Sequence, residues 1–244
     1  MAKLSRLARN MRSRDCNRVS AAWRSTQNYQ RSALTSYALH FANLATFENG
    51  EAQVPKGRDS GMPVIEQWES YFDAAGILDS FGFRHMSGDA IEFGCGYGTF
   101  TIPAAQRLLG TLHAIDIDPL MVAATAARVS QAGLKNVIVE QRDFLTQGCG
   151  LEAQSAGLAL LFNILHIEDP VGLLKEAHRV LRHGGLALVI HWNHDGRTPR
   201  GPPLDIRPRP GQCRAWGEEA GLRWVRDEDL PGSPWHWGMV LERP

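Results

Sequence analysis

The sequence predicts an α/β fold, a doubly wound and mostly parallel sheet of seven strands. Two observations predict it. First, from Ala90 onward, short segments alternate with segments of ten or more residues that have helical periodicity and that mostly end at a glycine. Second, the short segments are apolar. Strands that alternate with helices are typical of a parallel sheet, and strands covered by helices on both faces are apolar throughout.

The elements follow one another in a regular order. The predicted strands are Ala90–Phe93, Leu112–Ile117, Asn136–Glu140, Leu158–Phe162, Leu186–Trp192, Leu222–Val225 and Trp235–Glu242. The predicted helices are Pro63–Ala75, Thr99–Leu109, Pro119–Ala132, Pro170–Leu181 and Gly211–Ala220. Gly76 is expected to end the first helix, and Gly184 with Gly185 the fourth. The last two strands lack an intervening helix, so we expect them to pair antiparallel at the edge of the sheet.

Composition bounds the class of protein. The chain has 244 residues, 43% of them hydrophobic, which is typical of a globular protein with one sizeable domain. No apolar stretch approaches the ~20 residues needed to span a bilayer. The four cysteines, Cys16, Cys95, Cys149 and Cys213, never form a CxxC pair. This spacing argues against a disulfide scaffold or a structural zinc site and suits a reducing compartment.

The zero net charge of the chain hides an asymmetry. Residues 1–47 carry eight Lys or Arg and one Asp, a net charge of +7, which leaves −7 on residues 48–244. Three interpretations stay open for this basic segment: an organellar transit peptide, a basic arm for nucleic acid or a membrane surface, and a disordered extension or a start codon placed too far upstream. Residues 33–47 form a candidate helix, and residues 48–61 are typical of a linker. We therefore expect a flexible extension at 1–60 and one domain at 61–244.

The strongest local motif is EFGCGYG at residues 92–98, where a strand leads through a glycine-rich turn into a helix. Glycines permit a tight turn and a close approach of the main chain to a ligand. The dinucleotide fingerprint GxGxxG, read from Gly94, requires glycine at position 99, where Thr99 stands. The turn therefore indicates ligand binding without indicating a nicotinamide cofactor.

Acidic residues follow the next two strands. Asp116 ends the second strand 18 residues after Gly98, a spacing at which a carboxylate can accept hydrogen bonds from both ribose hydroxyls. Asp118 precedes Pro119 and is a candidate helix N-cap. Asp143 follows the third strand, where it is either a partner for an adenine amine or a surface residue of a loop.

Four segments together resemble the class I S-adenosylmethionine-dependent methyltransferases of the small seven-stranded kind. They are EFGCGYG, IDIDP, RDF and LLFNILHIEDPVGLLKEAHRVLRHGGLALVIHW, in the family's order and spacing between Met62 and Arg243. The resemblance implies a Rossmann-like sheet with an antiparallel edge strand. It also implies that S-adenosyl-L-methionine is the cofactor.

The resemblance implies roles for residues around the methionine portion of the cofactor. Gly94, Gly96 and Gly98 would pass beneath it. Glu92 would help to hold its amino group or the glycine turn. Asn163, at the end of the fourth strand, would face the methionine and the transferred methyl group.

Further roles are implied around the adenosine portion. Asp116 would bind the ribose, and Ile117 would pack on the adenine. Asp143 would meet the adenine amine, with Phe144 beside the ring. All these positions follow parallel strands at their carboxyl ends, where open α/β sheets bind ligands.

The implied reaction is a direct displacement at the sulfonium methyl group. A general base is needed only if the nucleophile of the acceptor carries a proton that must leave. His166 and His191 are the candidate catalytic bases, although a hydrogen bond to the main chain is the favoured explanation of His166. A metal cluster formed by His191, His194 and Asp195 is disfavoured because their spacing is not diagnostic, and no metal is expected.

The segment 196–210 is long and rich in proline and arginine, and it follows the fifth strand. Arg200 and Arg207 are candidates for binding an anionic acceptor, because guanidinium groups suit carboxylate and phosphate. The alternative is a rigid loop whose arginines pair with the excess acids of the domain. Trp192 is a candidate wall of the acceptor pocket.

We therefore expect a methyltransferase that acts on a small, anionic molecule. The alternatives are a methyltransferase-like binding subunit without catalysis, an RNA or protein methyltransferase anchored by the basic arm, and an NAD oxidoreductase. The charge of −7 on residues 48–244 argues against nucleic acid, and no membrane partner is expected. A cytoplasmic location is expected, with organellar import through residues 1–47 as the alternative.

Overall fold

A computed structural model of the chain describes residues 62–244. The candidate helix at 33–47, the linker and the proposed domain boundary near residue 61 lie outside the described residues. The division of the chain into an extension and a domain therefore stays a prediction.

The described residues form the expected seven-stranded sheet. The strands are β1 Asp89–Phe93, β2 Leu112–Asp116, β3 Val137–Gln141, β4 Ala156–Phe162, β5 Leu181–Trp192, β6 Arg223–Glu228 and β7 His236–Glu242. Their order across the sheet is β3-β2-β1-β4-β5-β7-β6. Strands β1 to β5 pair in parallel, and β7 runs antiparallel to both β5 and β6. The predicted fold class is confirmed, with β7 lying one strand in from the edge.

Helices cover both faces of this sheet. They are α1 Ile65–Glu69, α2 Ala74–Ser80, α3 Thr101–Arg107, α4 Pro119–Gln131, α5 Phe144–Gln147, α6 Pro170–Val180 and α7 Pro210–Glu219. Short α5 was not predicted, because one turn of helix has no periodic pattern that a sequence could show.

The hydrophobic core is divided between the two faces by strand alternation. Leu158 and Leu160 of β4 belong to a cluster with α2 and α3, whereas Ala159 and Leu161 belong to a second cluster with α6. All four side chains are buried. Both faces of the central strands are therefore apolar, and polar side chains are confined to the strand ends, where the candidate site lies.

The N-terminal helix differs from the prediction of one helix at Pro63–Ala75. The chain forms α1 and then α2, and Gly76 lies inside α2 instead of ending a helix. The Asp73 carboxylate caps α2 by accepting a hydrogen bond from Gly76 N at 3.0 Å. A Cβ atom at residue 76 would lie 2.4 Å from Asp73 Oδ2, so the glycine makes room for the cap.

The end of α6 also differs from the prediction. The helix ends at Val180, β5 begins at Leu181, and Gly184 lies inside the strand. The last carbonyl groups are bound by Arg243, whose Nη1 donates to the carbonyl oxygens of His178, Arg179 and Leu181 at 3.0, 3.2 and 2.6 Å. A side chain from the far end of the chain thus replaces the expected glycine cap.

The sheet changes winding direction between β1 and β4. After β1 the chain builds β2 and β3 on one side, and it then crosses to β4 on the other side. The two strands are neighbours, and the connections that leave their carboxyl ends diverge. A crevice is therefore expected at this point, as in other open α/β sheets.

Replacement of Arg243 tests the cap on α6. Arg243→Ala leaves three carbonyl groups without their charged donor, and we expect a loss of about 1–3 kcal/mol in the free energy of unfolding, measured by chemical denaturation. Arg223→Ala is the control, because Arg223 only pairs with Glu242 on the exposed edge and should matter less. Equal effects of the two substitutions would contradict the capping role.

Candidate active site

A cavity of about 590 Å³ opens at the carboxyl ends of β1, β2 and β4. Its size lies within the range of about 300–1,000 Å³ that is usual for small-molecule sites. The cavity contains most of the predicted residues from the motifs at 92–98, 115–119 and 142–144, together with Asn163. These motifs are far apart in the sequence, and the sheet brings them together.

The glycine turn forms one wall of the cavity. Gly94 and Gly96 have φ angles of +75° and +54°, which favour glycine, and both line the cavity. Gly98 lies outside the lining, contrary to expectation. A Cβ atom at residue 98 would lie 3.0 Å from Thr125 Oγ1 on α4. The third glycine therefore allows helix α4 to approach the turn and does not line the cavity.

Asp116 connects the end of β2 to the glycine turn. Its Oδ2 atom accepts a hydrogen bond from Gly96 N and its Oδ1 atom accepts one from Asp118 N, both at 2.9 Å. Asp116 and Ile117 line the cavity. Burial raises the pKa of Asp116, and the two main-chain N–H groups oppose this rise. Asp118 caps α4 by accepting from Leu120 N at 2.9 Å, as the sequence suggested.

Glu92 is a buried carboxyl group in the wall of the cavity, with 3% of its surface exposed. Thr101 Oγ1 donates a hydrogen bond to its Oε2 atom at 2.5 Å. Burial raises the pKa of Glu92 to about 8, and the nearby charge of Asp116 acts in the same direction. The group is therefore protonated at neutral pH, and a cation placed beside it would favour ionisation.

Asn163 presents an unusual combination of backbone strain and unpaired polar atoms. It follows β4 with a φ angle of +55°, and its main-chain N donates to Ile190 O at 2.7 Å. Its Oδ1 and Nδ2 atoms are buried, have no hydrogen-bond partner within residues 62–244, and belong to a residue that lines the cavity. Buried amide groups in such positions usually have a partner, so this side chain is suited to a ligand.

Asp143 and Phe144 follow β3, which lies three strands away from β4, the strand that Asn163 follows. Asp143 Oδ1 accepts from Leu145 N at 3.2 Å and from Thr146 N at 3.4 Å, which caps α5. Phe144 packs edge-on against Phe93, with ring centroids 5.5 Å apart. Both line the cavity. Asp143 thus has the structural role of a helix cap. Because it also lines the cavity, the predicted contact with the amine of adenine stays possible.

The two candidate bases form a pair. His166 Nδ1 lies 3.3 Å from His191 Nε2. His166 lines the cavity and is 8% exposed, whereas His191 is fully buried behind it. Burial lowers the pKa of His191 well below its ordinary value. No group of three or more His, Cys, Asp or Glu in the described part of the chain is arranged to hold a metal ion.

Two of the three residues predicted to bind the acceptor line the cavity, and the third does not. Trp192 and Arg200 line the cavity, but Arg207 does not. Arg207 as a residue is 6% exposed, and its guanidinium group donates to the carbonyl oxygens of Pro202 and Asn193 at 2.7 and 2.8 Å. The expected contact of Arg207 with substrate is thus corrected, because its N–H groups hold the loop in shape.

Several residues of the cavity wall were not predicted as site residues. Phe100 and Phe162 form an aromatic contact, with ring centroids 4.7 Å apart, and Met62 also lines the cavity. The segment around Met62 is held by Tyr97, whose hydroxyl donates to Pro63 O at 2.9 Å. No local motif indicates such a contact across 34 positions. Phe100 could have been predicted as a wall residue, because it follows the glycine motif closely in the sequence.

Comparison with known proteins agrees with this geometry. A family model described as a methyltransferase domain matches residues 90–185. Aklanonic acid methyltransferase DauC of Streptomyces sp. strain C5 is 32% identical over 155 residues, which are 57% of this chain and 69% of that protein.

Solved structures share the fold at lower identity. A SAM-dependent methyltransferase of Aquifex aeolicus has a TM-score of 0.64 and 23% identity, and the match covers 72% of this chain and 92% of that one. The [4+2]-cyclase SpnF has a TM-score of 0.59 and 15% identity, over 70% of this chain and 80% of that one. These likenesses establish the fold alone, which hosts more than one kind of reaction.

The chain therefore belongs to the class I S-adenosylmethionine-dependent methyltransferases. It is an enzyme of that class, and S-adenosyl-L-methionine is its cofactor. The resemblance found in the sequence is confirmed, and the oxidoreductase alternative is excluded. Among residues 62–244, no helix has the length and hydropathy to cross a membrane.

The pKa of Glu92 predicts a pH dependence of stability. Glutamate ionises near pH 4.5 in the unfolded chain and near pH 8 here, so between these values the folded protein holds one more proton. The free energy of unfolding should fall as pH rises through this window, by at most about 1.4 kcal/mol per pH unit. Glu92→Gln should remove this component in denaturation curves measured from pH 5 to 8. Parallel pH profiles of the two proteins would contradict the assignment.

Two arginines of the same loop, one buried and one exposed, allow a test of the role of Arg207. Arg207→Met leaves buried carbonyl groups unpaired and should lower the free energy of unfolding by about 2 kcal/mol or more. Arg197→Met is the matched control, since that side chain is 88% exposed and pairs with Asp195 on the surface. Thermal unfolding of both variants gives the comparison. A change in Arg197→Met as large as in Arg207→Met would refute the structural role.

Proposed function

We propose that the protein transfers the methyl group of S-adenosyl-L-methionine to a small, anionic acceptor molecule bound in the same cavity. The observation that carries the proposal is the order of the strands that supply one cavity. At one end, β1 and β2 supply Glu92 and Asp116, and at the other end, β5 and the loop after it supply Trp192 and Arg200. The unpaired amide of Asn163, which follows β4, lies between them.

The adenosine portion fits the end of β2. Each oxygen of Asp116 accepts one main-chain hydrogen bond and keeps a lone pair that can accept a ribose hydroxyl. Ile117 and Phe144 offer apolar surfaces for the adenine ring, and Asp143 lies at its edge. We assign these four residues to adenosine.

The methionine portion fits the glycine wall. Gly94 and Gly96 allow the main chain to approach closely, and Glu92 is a buried carboxyl group that an ammonium group would ionise. The unpaired amide of Asn163 supplies a donor and an acceptor at the boundary between the two ends. When bound, the cofactor supplies a sulfonium methyl group, which is already a strong electrophile.

The acceptor fits between aromatic rings and one arginine. Trp68, Phe100 and Trp192 line this part of the cavity with flat apolar surfaces, and Arg200 adds a positive charge. Aromatic walls with few polar groups are typical of sites for small molecules. The relative DauC is named for an acid, which agrees with an anionic acceptor.

The chain contributes mainly alignment. Arg207 fixes the loop that carries Arg200, and Gly201 packs against Trp192, where a Cβ atom would lie 2.8 Å from the ring. A rigid wall holds the acceptor atom in line with the methyl group and excludes water. Such alignment can lower a barrier by roughly 7–11 kcal/mol.

Binding and transfer test the proposal in two steps. Calorimetry of the full chain should show binding of S-adenosyl-L-methionine and none of NAD. A screen with methyl-labelled cofactor across small aromatic acids and phenols should then yield a labelled product. Cofactor binding with labelling of RNA or protein alone would overturn the small-molecule assignment, and binding with no transfer to any class would favour a binding subunit.

Substitution of Asp116 tests the ribose assignment. Asp116→Asn places an amide donor against a main-chain N–H and weakens the ribose contact, so we expect affinity for S-adenosyl-L-methionine to fall at least about tenfold. Asp118→Asn is the matched control from the same strand end and should change affinity by less than about threefold. Calorimetry measures both, with circular dichroism to verify folding. A loss confined to Asp118→Asn would move the ribose to that residue.

A further inference from the structure

A buried positive charge lies directly behind one wall of the cavity. Gly201 lines the cavity, whereas Arg207 of the same loop does not and is 6% exposed as a residue. A Cβ atom at residue 201 would lie 2.7 Å from Arg207 Nη2 and 2.8 Å from Cγ of Trp192, which also lines the cavity. The main chain at Gly201 is therefore the layer between the guanidinium group and the cavity.

The charge of Arg207 has no counter-ion in contact with it in the described structure. Nε and Nη2 donate to Pro202 O at 3.1 and 2.7 Å, and Nη1 donates to Asn193 O at 2.8 Å and to Thr198 Oγ1 at 2.6 Å. Every hydrogen-bond partner of Arg207 within residues 62–244 is a neutral oxygen, and no carboxylate there forms an ion pair with it. Carbonyl dipoles thus hold this cation in place of an acid.

A buried cation without a counter-ion is costly, and burial accordingly lowers the pKa of Arg207. The guanidinium group nevertheless stays charged at neutral pH. Asp195 attracts it from a distance, but Asp195 is itself paired with Arg197 on the surface, where solvent screens both charges. An anion in the cavity beside Gly201 would supply the missing counter-charge.

The main chain of the same wall favours a ligand group that has lone pairs. The carbonyl oxygen of Pro202 is bound by Arg207 outside the cavity lining, so it is directed away from the cavity. Pro202 and Pro203 have no main-chain N–H, which leaves Gly201 N as the donor of this stretch. Gly201 N makes no main-chain hydrogen bond among the described residues. A carboxylate oxygen is suited to accept from such a group.

We propose that Arg207 is a specificity-determining residue, which selects an anionic acceptor through its charge behind Gly201 and without touching the acceptor. The anionic group of the acceptor then lies against Gly201. This inference rests on the proposed function and deepens it, because it names the residue and the wall that recognise the anion. The competing source of the same selectivity is Arg200, which lines the cavity.

Burial gives the charge of Arg207 a property that distinguishes it from a surface charge. Exposed charges are screened within about 8–10 Å at physiological salt, whereas charges embedded in protein are screened much less. A preference for anions that comes from Arg207 should therefore persist when salt is added. A preference that comes from an exposed arginine should decline.

Calorimetry of the full chain saturated with S-adenosylhomocysteine measures this preference. The probes 2-naphthoate and 2-acetylnaphthalene have nearly the same shape and differ in charge. We expect 2-naphthoate to bind at least about tenfold more tightly, and this ratio to change less than about threefold between about 0.05 and 0.5 M salt. Equal affinities, tighter binding of the neutral probe, or binding of neither probe would overturn the proposal.

Two substitutions separate the charge of Arg207 from its hydrogen bonds. Arg207→Lys keeps the charge with fewer donors and should retain most of the preference, whereas Arg207→Gln keeps donors without the charge and should reduce the ratio to less than about threefold. Arg197→Gln, on the surface of the same loop, is the control and should leave the ratio unchanged. A preference that persists in Arg207→Gln and disappears in Arg200→Gln would assign the selectivity to Arg200 instead.

Nitrogen NMR of the wild-type chain locates the anion even if the Arg207 variants fail to fold. Arg is followed by Gly only at residues 200–201, so ¹³C-carbonyl arginine combined with ¹⁵N-glycine marks the Gly201 amide alone. Its signal should shift when 2-naphthoate is added to the complex with S-adenosylhomocysteine, and should shift much less with 2-acetylnaphthalene. Gly196, the one glycine that follows Asp, lies outside the cavity lining and is the control. A Gly201 signal that does not respond to 2-naphthoate would refute the placement of the anion.

The outcomes separate this inference from the proposed function. If neither S-adenosyl-L-methionine nor S-adenosylhomocysteine binds, the proposed function fails and this inference fails with it. If methyl transfer to a small molecule is found and Arg207→Gln leaves the preference for the anion intact, only the role of Arg207 fails.

Discussion

The carboxylate of Asp116 is the contact on which the geometry of the site depends. It binds Gly96 N with one oxygen and Asp118 N with the other, and so it joins the glycine turn after β1 to the end of β2. The left-handed conformations of Gly94 and Gly96 then direct the main chain along the cavity wall. Because the sheet changes winding direction between β1 and β4, Asn163 arrives opposite this turn, and the two walls enclose a space for a ligand.

The two ends of the cavity differ in the charge of the side chains that line them. Glu92 is buried and Asp116 is half-buried, and burial raises the pKa of both acids. Thr101 donates a hydrogen bond to Glu92, and main-chain N–H groups donate to Asp116. Both acids are suited to a ligand that carries positive charge, as the ammonium and sulfonium groups of the cofactor do. The other end, next to β5, has Arg200 and the neighbouring rings of His166 and His191 instead. In the proposed function, the cationic methyl donor binds beside the two acids, and the acceptor binds beside Arg200.

Much of this arrangement was predictable from local sequence. Apolar runs and glycines located all seven strands, and the glycine motif and the acid at 116 located the cofactor wall, because these features depend on neighbours in the chain. Contacts between distant residues were not predictable. They include Arg243 on the end of α6, Thr125 against Gly98, and Tyr97 on the main chain of Pro63. Arg207 shows the limit most clearly. Its residue type suggested an anion site, but burial among loop carbonyls, which no local pattern reveals, gives it a structural role.

A crystal structure of the full chain with S-adenosylhomocysteine tests the central claim most directly. The account predicts the ribose hydroxyls on Asp116, the amino group next to Glu92, and the sulfur directed past Asn163 toward His166 and Trp192. Adenosine bound away from the end of β2, or a sulfur atom directed away from the aromatic end of the cavity, would contradict it.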